Sequence, residues 1–276
     1  MDADRIYARL LDLFAHRENR DSLRIAGKLV LAMASEINNE QIIERIAAAA
    51  AEPLPPLPNF SAAKHHGYFR SSADYRLRIV LQLKEIVPSR CLVHLRRGEQ
   101  CSEEYWRVNS ARLIPSLQFE DETLVQSLAI IEYINEMSPQ PDILPGDARQ
   151  KARIRAFAQA IACDIHPLCN LRVLNALRDS GADDAAVQQW TQRWMAAGFA
   201  HLEERTRRWR QNNAYIFCGQ PTLAEVCLIP QMYNARRFGL DLAPYPLLLE
   251  IDELCRAHRA FKRAAPENQP DYEADK

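Results

Sequence analysis

Two proline-rich stretches constrain this chain more than any other feature. The first is Glu52-Pro53-Leu54-Pro55-Pro56-Leu57-Pro58 and the second Ser138-Pro139-Gln140-Pro141-Asp142-Ile143-Leu144-Pro145-Gly146. Proline lacks an N–H donor and clashes with the preceding turn, so neither a helix nor an interior strand continues through such runs. The first run suits an extended, stiff spacer. An SH3-type ligand is the other use of such a run, but no further signalling motif accompanies it. The cuts define a helical extension over 1–52, a linker over 53–61, a mixed segment over 62–140 and a helical segment over 147–265.

Composition narrows the class. The 276 residues suffice for two domains, or for one domain plus an extension, and 47% hydrophobic content can fill a core. A net charge of −1 gives no reason to expect nucleic acid or an anionic membrane as partner. No apolar run approaches the length that spans a bilayer. The start, Met1-Asp2-Ala3-Asp4-Arg5, is acidic and lacks the apolar stretch of a secretory signal, so a soluble cytoplasmic protein is expected. The seven scattered cysteines contain no CxxC pair, which fits free thiols in a reducing compartment and no metal site. With 8 glycines and no Gly-rich phosphate loop, nucleotide binding is a poor reading.

The extension repeats apolar residues at helical spacing, as in Tyr7, Leu10, Leu11 and Phe14. It reads as a packing or dimer element, too small to hold much core alone. From 62 to 140 the pattern alternates. Tyr68-Phe69 closes a first strand, and Ile79, Val80, Leu83 and Val87 form one helix face. Cys91-Leu92-Val93-His94-Leu95 is a second strand, and Leu113–Phe119 with Thr123–Val125 makes a hairpin. Ser127 then caps a helix that buries Leu128, Ile131 and Ile134. This β-α-β-(α)-β-β-α order is that of a thioredoxin-like domain. Beyond the second proline run all is helical: about 148–178 with a kink at Pro167, about 183–211 with Trp190, Trp194, Phe199 and Leu202 buried, a helix opened by the capping box Thr222-Leu223-Ala224-Glu225, and a last helix over about 247–263. The polar tail beyond Pro266 is expected to fray.

The turn Tyr68-Phe69-Arg70-Ser71-Ser72 is where chemistry is expected. Serines between a strand and a helix sit where free backbone N–H groups and the positive end of the helix dipole favour an anion or a thiolate.

Residues 68–271 resemble the zeta class of glutathione transferases, which holds maleylacetoacetate isomerase and bacterial maleylpyruvate isomerase. The resemblance rests on Arg70-Ser71-Ser72, Gln126–Tyr133, Cys163-Asp164-Ile165-His166-Pro167, Pro230-Gln231, Asn234–Phe238, Asp241–Pro246, Phe261–Pro266 and Gln269-Pro270-Asp271. It implies a thioredoxin-like domain followed by an all-helical domain, a homodimer, and glutathione as cofactor. Ser71 resembles the serine that hydrogen-bonds the glutathione thiolate, whose free pKa near 8.5 must be lowered for reaction. Gln126 and Ser127 resemble the pair that holds the γ-glutamyl carboxylate. Ile114, before a cis Pro115, resembles the residue that pairs with the cysteinyl backbone. His166 and Asn170 resemble residues that contact glutathione. Arg237 resembles the arginine that binds the substrate carboxylate, a planar fork suiting a dicarboxylate; Arg70 would add positive charge near the sulfur or a substrate carboxylate, and Arg172 is a further substrate-binding candidate. Each has a plainer reading: an N-cap for Ser127, a turn proline for Pro115, a packed histidine for His166 and a surface ion pair for the arginines.

Two positions depart from the family pattern. Ala73 stands where a cysteine or threonine is usual, so a thiol or hydroxyl is missing beside the sulfur. Lys64-His65-His66-Gly67 replaces an apolar strand start, so either the strand begins late or the extension covers it. The implied activity is thiol-assisted cis–trans isomerisation of maleylpyruvate or maleylacetoacetate. A transferase or reductive dehalogenase of the same fold, and a non-catalytic binding protein, stay open at this point.

Overall fold

A computed structural model of the chain divides into two compact units, Met1–Leu57 and Pro58–Lys276. The described residues are 58–273, all in the second unit. The sequence-derived helices over 1–52 and most of the first proline run lie outside them.

A four-stranded sheet has the order β2-β1-β3-β4, with β1 Lys64–Gly67, β2 Ser89–Leu92, β3 Ser116–Gln118 and β4 Thr123–Val125. β1 runs parallel to β2 and antiparallel to β3, and β3 and β4 form the hairpin. The polar Lys64–Gly67 segment is itself the strand. Tyr68 and Phe69, read from the sequence as strand residues, lie just past its end. β1 tolerates its histidines because each is paired. His65 Nε2 lies 2.5 Å from Asp74 Oδ1, and His66 Nε2 lies 3.0 Å from Gln118 Oε1. A buried polar side chain is costly only while it lacks a partner.

Helix α1, Ser72–Leu83, follows. Ser71 is its N-cap, its hydroxyl accepting the Asp74 N–H at 3.3 Å. Asp74 is fully buried and binds three groups: His65, the Tyr68 amide at 3.1 Å, and Arg78. Burial alone would raise this carboxyl, but His65 and Arg78 outweigh it and hold it down at about 2. Asp74 also explains Gly67, because a Cβ there would meet its Oδ1 at 2.4 Å. The helix ends at Leu83, so Val87 is exposed rather than part of its apolar face.

Helix α2 is Glu103–Val108 and α3 is Ser127–Met137, which buries Ile130, Ile131 and Ile134. The N-cap of α3 is Gln126, with Ser127 the first helical residue, so the helix starts one residue earlier than the sequence reading, which made Ser127 the cap. Lys84 Nζ holds the second proline run, donating to Asn135 Oδ1, the Ser138 carbonyl and the Pro141 carbonyl at 2.7, 2.6 and 2.8 Å.

The helical part contains α4 Ala148–Gln159, α5 Leu171–Asp179, α6 Asp184–Trp209, α7 Leu223–Arg237, α8 Pro246–Ala257 and α9 Arg259–Ala264. The expected kinked helix over 148–178 is broken instead. A wide π turn over Ala160–Ile165 and a 3₁₀ turn over His166–Cys169 separate α4 from α5. Gly198 lets α6 come close to this break, since a Cβ there would meet Ile165 Cδ1 at 2.2 Å. Trp190 and Trp194, read from the sequence as buried, are half-buried, with Trp190 Nε1 donating to the Leu168 carbonyl at 2.8 Å, while Phe199 and Leu202 are fully buried. The capping box forms as read: the Thr222 amide and hydroxyl both donate to Glu225 Oε2. The last predicted helix is divided at His258 into α8 and α9. One apolar core runs through both halves, with Leu77 and Ile79 of α1 clustered with Val226 of α7 and Phe261 of α9.

Candidate active site

The break between α4 and α5 decides the geometry. It turns His166 and Asn170 toward the sheet, although they share no α-helical face as their spacing had suggested; Asn170 is the N-cap of α5. Both residues line three adjoining cavities, and the candidate residues fall into these by position.

The first cavity, about 270 Å³, is lined by Arg70, Ser71, Arg237 and Asn234 along with His166 and Asn170. Ser71 stands at the N-terminus of α1, where free amides and the dipole favour a negative group. Arg70 lies over the Phe69 ring, 5.4 Å from its centroid, and Arg237 over Phe238 at 4.6 Å. Asn234 Nδ2 donates to Ser72 Oγ at 2.5 Å and ties α7 to the start of α1. Cys169 also lines this cavity, but burial pushes its thiol up to about 11, so it is not a ready nucleophile.

The second cavity, about 350 Å³, is lined by Ile114, Pro115, Gln126, Ser127, Arg172 and Ala73 as well as His166 and Asn170. The Ile114–Pro115 bond is cis. Pairing in β3 begins at Ser116, which leaves the Ile114 backbone outside the ladder. Gln126 has φ +69°, a left-handed conformation that a non-glycine residue rarely adopts, and such strain gathers at ligand sites. A third cavity, about 290 Å³, joins Ser71, Ile114, His166, Asn170 and Arg172. Arg172 therefore lies toward the Ile114 side and not in the cavity that holds Arg237. A further cavity of about 320 Å³ between α4 and α6 contains none of the candidate residues.

The sequence reading passed over Arg76. Its side chain is 2% exposed and lines the second cavity, where Nη1 makes one long hydrogen bond to Ser127 Oγ at 3.5 Å. Its Nε and Nη2 have no partner among the described residues, nor does His166 Nδ1. Burial first, then the nearby Arg76 charge, push the His166 imidazole down to about 3, so the ring is neutral near pH 7. A signal for Arg76 was present: it is three and four residues before Ile79 and Val80, on the face read as apolar. Among the described residues, no three His, Cys, Asp or Glu side chains gather to hold a metal ion, and no helix is long and apolar enough to cross a membrane.

A small sheet with a cis-proline turn, joined to an all-helical half across such a cleft, defines the glutathione-transferase class. Residues 63–136 match the family "Glutathione S-transferase, N-terminal domain". A maleylpyruvate isomerase of Ralstonia sp. is 42% identical over 209 residues, 75% of this chain and 99% of that protein. The holo structure of a bacterial zeta-class maleylpyruvate isomerase is 41% identical, with a TM-score of 0.75 and coverage of 76% of this chain and 100% of the other. A maleylacetoacetate isomerase of Methylobacterium extorquens AM1, solved with bound malonate and glutathione, is 32% identical with a TM-score of 0.74, covering 76% of this chain and 100% of that one. The chain belongs to the zeta-class glutathione transferases, in the branch of the maleylpyruvate and maleylacetoacetate isomerases.

Proposed function

We propose that the protein is a glutathione-dependent cis–trans isomerase of maleylpyruvate or maleylacetoacetate. The observation that carries this reading is that His166 and Asn170 are shared by two cavities, one with Ser71, Arg70 and Arg237, the other with Ile114, Gln126 and Ser127. A thiol-bearing ligand in the second cavity thereby adjoins an acid-binding cavity.

The residues present fit glutathione, because the buried Arg76 has donors without acceptors among the described residues and the N-terminus of α3 carries no side-chain cap. When bound, glutathione supplies the sulfur nucleophile that adds to the activated double bond and leaves after rotation. Ser71 Oγ and the amides opening α1 hold the sulfur as thiolate. Ile114 offers its free backbone edge, and Gln126 and Ser127 take the γ-glutamyl carboxylate. His166 and Asn170 keep the ligand between the two cavities, His166 as a neutral imidazole. Arg70 and Arg237 grip the substrate carboxylates and the negative charge that builds during addition, and Arg172 guides the acid from the Ile114 side. Ala73 removes a side chain beside the sulfur without removing any of these groups.

We further propose a cytoplasmic homodimer, with 62–140 binding glutathione and 147–265 completing the substrate side.

The test is stoichiometric. The protein is incubated with maleylpyruvate or maleylacetoacetate and less than one equivalent of glutathione while free thiol and product are followed. Many turnovers at constant thiol are expected. One thiol consumed per product would make the protein a transferase instead.

A further inference from the structure

Arg76 is an unusual feature of the described fold. A guanidinium does not lose its proton in a protein, so a fully buried one requires a counter-charge or a full set of acceptors. Among the described residues neither is supplied. The side chain is 2% exposed, makes a single 3.5 Å bond to Ser127 Oγ, and leaves Nε and Nη2 without acceptors among the described residues. The neighbouring Arg78, by contrast, is saturated by Asp74 and by the carbonyls of Tyr68, Phe69 and Ala264. Arg76 is therefore incomplete where its neighbour is not, and its unmet donors border the cavity lined by Gln126 and Ser127.

We propose that Arg76 is the buried counter-charge for the α-carboxylate at the γ-glutamyl end of bound glutathione. This rests on the glutathione reading above. A carboxylate against Ser127 Oγ and the first amides of α3 would lie beside the one hydrogen-bond partner that Arg76 has among the described residues. It would supply the missing acceptors through a planar, two-pronged contact. The apparent misfit of a buried cation is then a preformed half of an ion pair, completed on binding. The neutral His166 agrees with this arrangement, because a second cation next to Arg76 would be repelled.

The experiment compares two ligands on the full chain by titration calorimetry: glutathione and 4-aminobutyryl-cysteinylglycine, which lacks only that carboxylate. The wild type is expected to prefer glutathione by about 30-fold or more, the scale of truncating one partner of a buried charge pair. Arg76→Gln is expected to lose that preference while binding the analogue within about threefold of wild type. Undiminished preference in R76Q, or equal weakening toward both ligands, overturns the proposal. If the wild type binds neither ligand, the glutathione reading fails first and is identified as the cause. Should R76Q not fold, Nε–H spectra of arginine-labelled wild type, assigned with Arg76→Lys, decide the matter. The Arg76 signal must shift with saturating glutathione and stay in place with the analogue; an unmoved signal with glutathione overturns the proposal.

Discussion

Asp271 Oδ2 accepts a hydrogen bond from the Phe69 amide at 2.8 Å, two residues before Ser71. Its other oxygen takes Arg90 Nη2 at 2.8 Å, and Arg90 Nη1 also donates to Gln269 Oε1 at 2.5 Å. The Tyr272 ring stands edge-on to Phe69 with centroids 5.4 Å apart. From the other side Arg78 Nη2 donates to the Phe69 carbonyl at 3.0 Å. The turn that carries Ser71 is thus clamped between α1 and the last residues of the described chain. The polar tail, expected to fray, is instead a strap.

The strap predicts a role for a residue far from the chemistry. Asp271→Ala removes a partly buried, charge-assisted bond and is expected to cost about 1–3 kcal/mol of stability. Because it loosens the turn that carries Ser71, kcat should fall several-fold while the KM for the acid changes little. Thermal unfolding and steady-state kinetics check both. Unchanged kcat with normal melting would separate the strap from the site.

Ser71→Ala removes the hydroxyl proposed to hold the glutathione sulfur. Turnover should drop roughly ten- to a thousand-fold, the range for losing one donor to a developing anion. Ser71 is also an N-cap, so about 1 kcal/mol of stability should go with it. A variant with full turnover would mean that the α1 amides hold the thiolate alone.

Much of this was legible in the chain. Alternation of period and the proline cuts gave the order of strands and helices, and Ser71 fell where local turn chemistry put it, at the N-terminus of α1. The rest failed for physical reasons. The break after Gln159 is set by close approach at Gly198, a contact remote in sequence. β1 looked too polar to be interior because its partners, Asp74 and Gln118, come from other elements. Arg76 was missed because a charge on an apolar face reads as an irregularity until its burial is known.

Asp74 joins β1, the turn before Ser71 and α1, so Asp74→Asn should be strongly destabilising, by about 3–5 kcal/mol, through the cations it leaves uncompensated. The sign with pH follows from its depressed value. The carboxyl is held at about 2 against an ordinary 3.8, so its stabilisation is complete above about pH 4 and is lost as pH falls toward 2. That loss amounts to about 2 kcal/mol. Urea unfolding of wild type and D74N from pH 5 to 2 should show the gap between them narrowing across that window. A constant gap would remove Asp74 from the acid response.

His166 predicts the opposite of a pH switch near neutrality. Its folded-state value of about 3 lies below the ordinary 6.5, because burial and then Arg76 disfavour the cation. The unfolded chain therefore takes up a proton below pH 6.5 that the native protein refuses until near 3. Stability contributed by the neutral ring is complete above 6.5 and falls between those limits by up to about 1.4 kcal/mol per pH unit. His166→Gln cannot bind that proton in either state, so its unfolding free energy should fall less steeply between pH 6.5 and 4 than that of the wild type. Glutathione affinity should meanwhile show no step at pH 6.5 that H166Q abolishes, since the imidazole is already neutral there. Parallel stability slopes in the two proteins, or such a step in affinity, would mean that His166 is charged in the folded site and repels Arg76 less than its position implies.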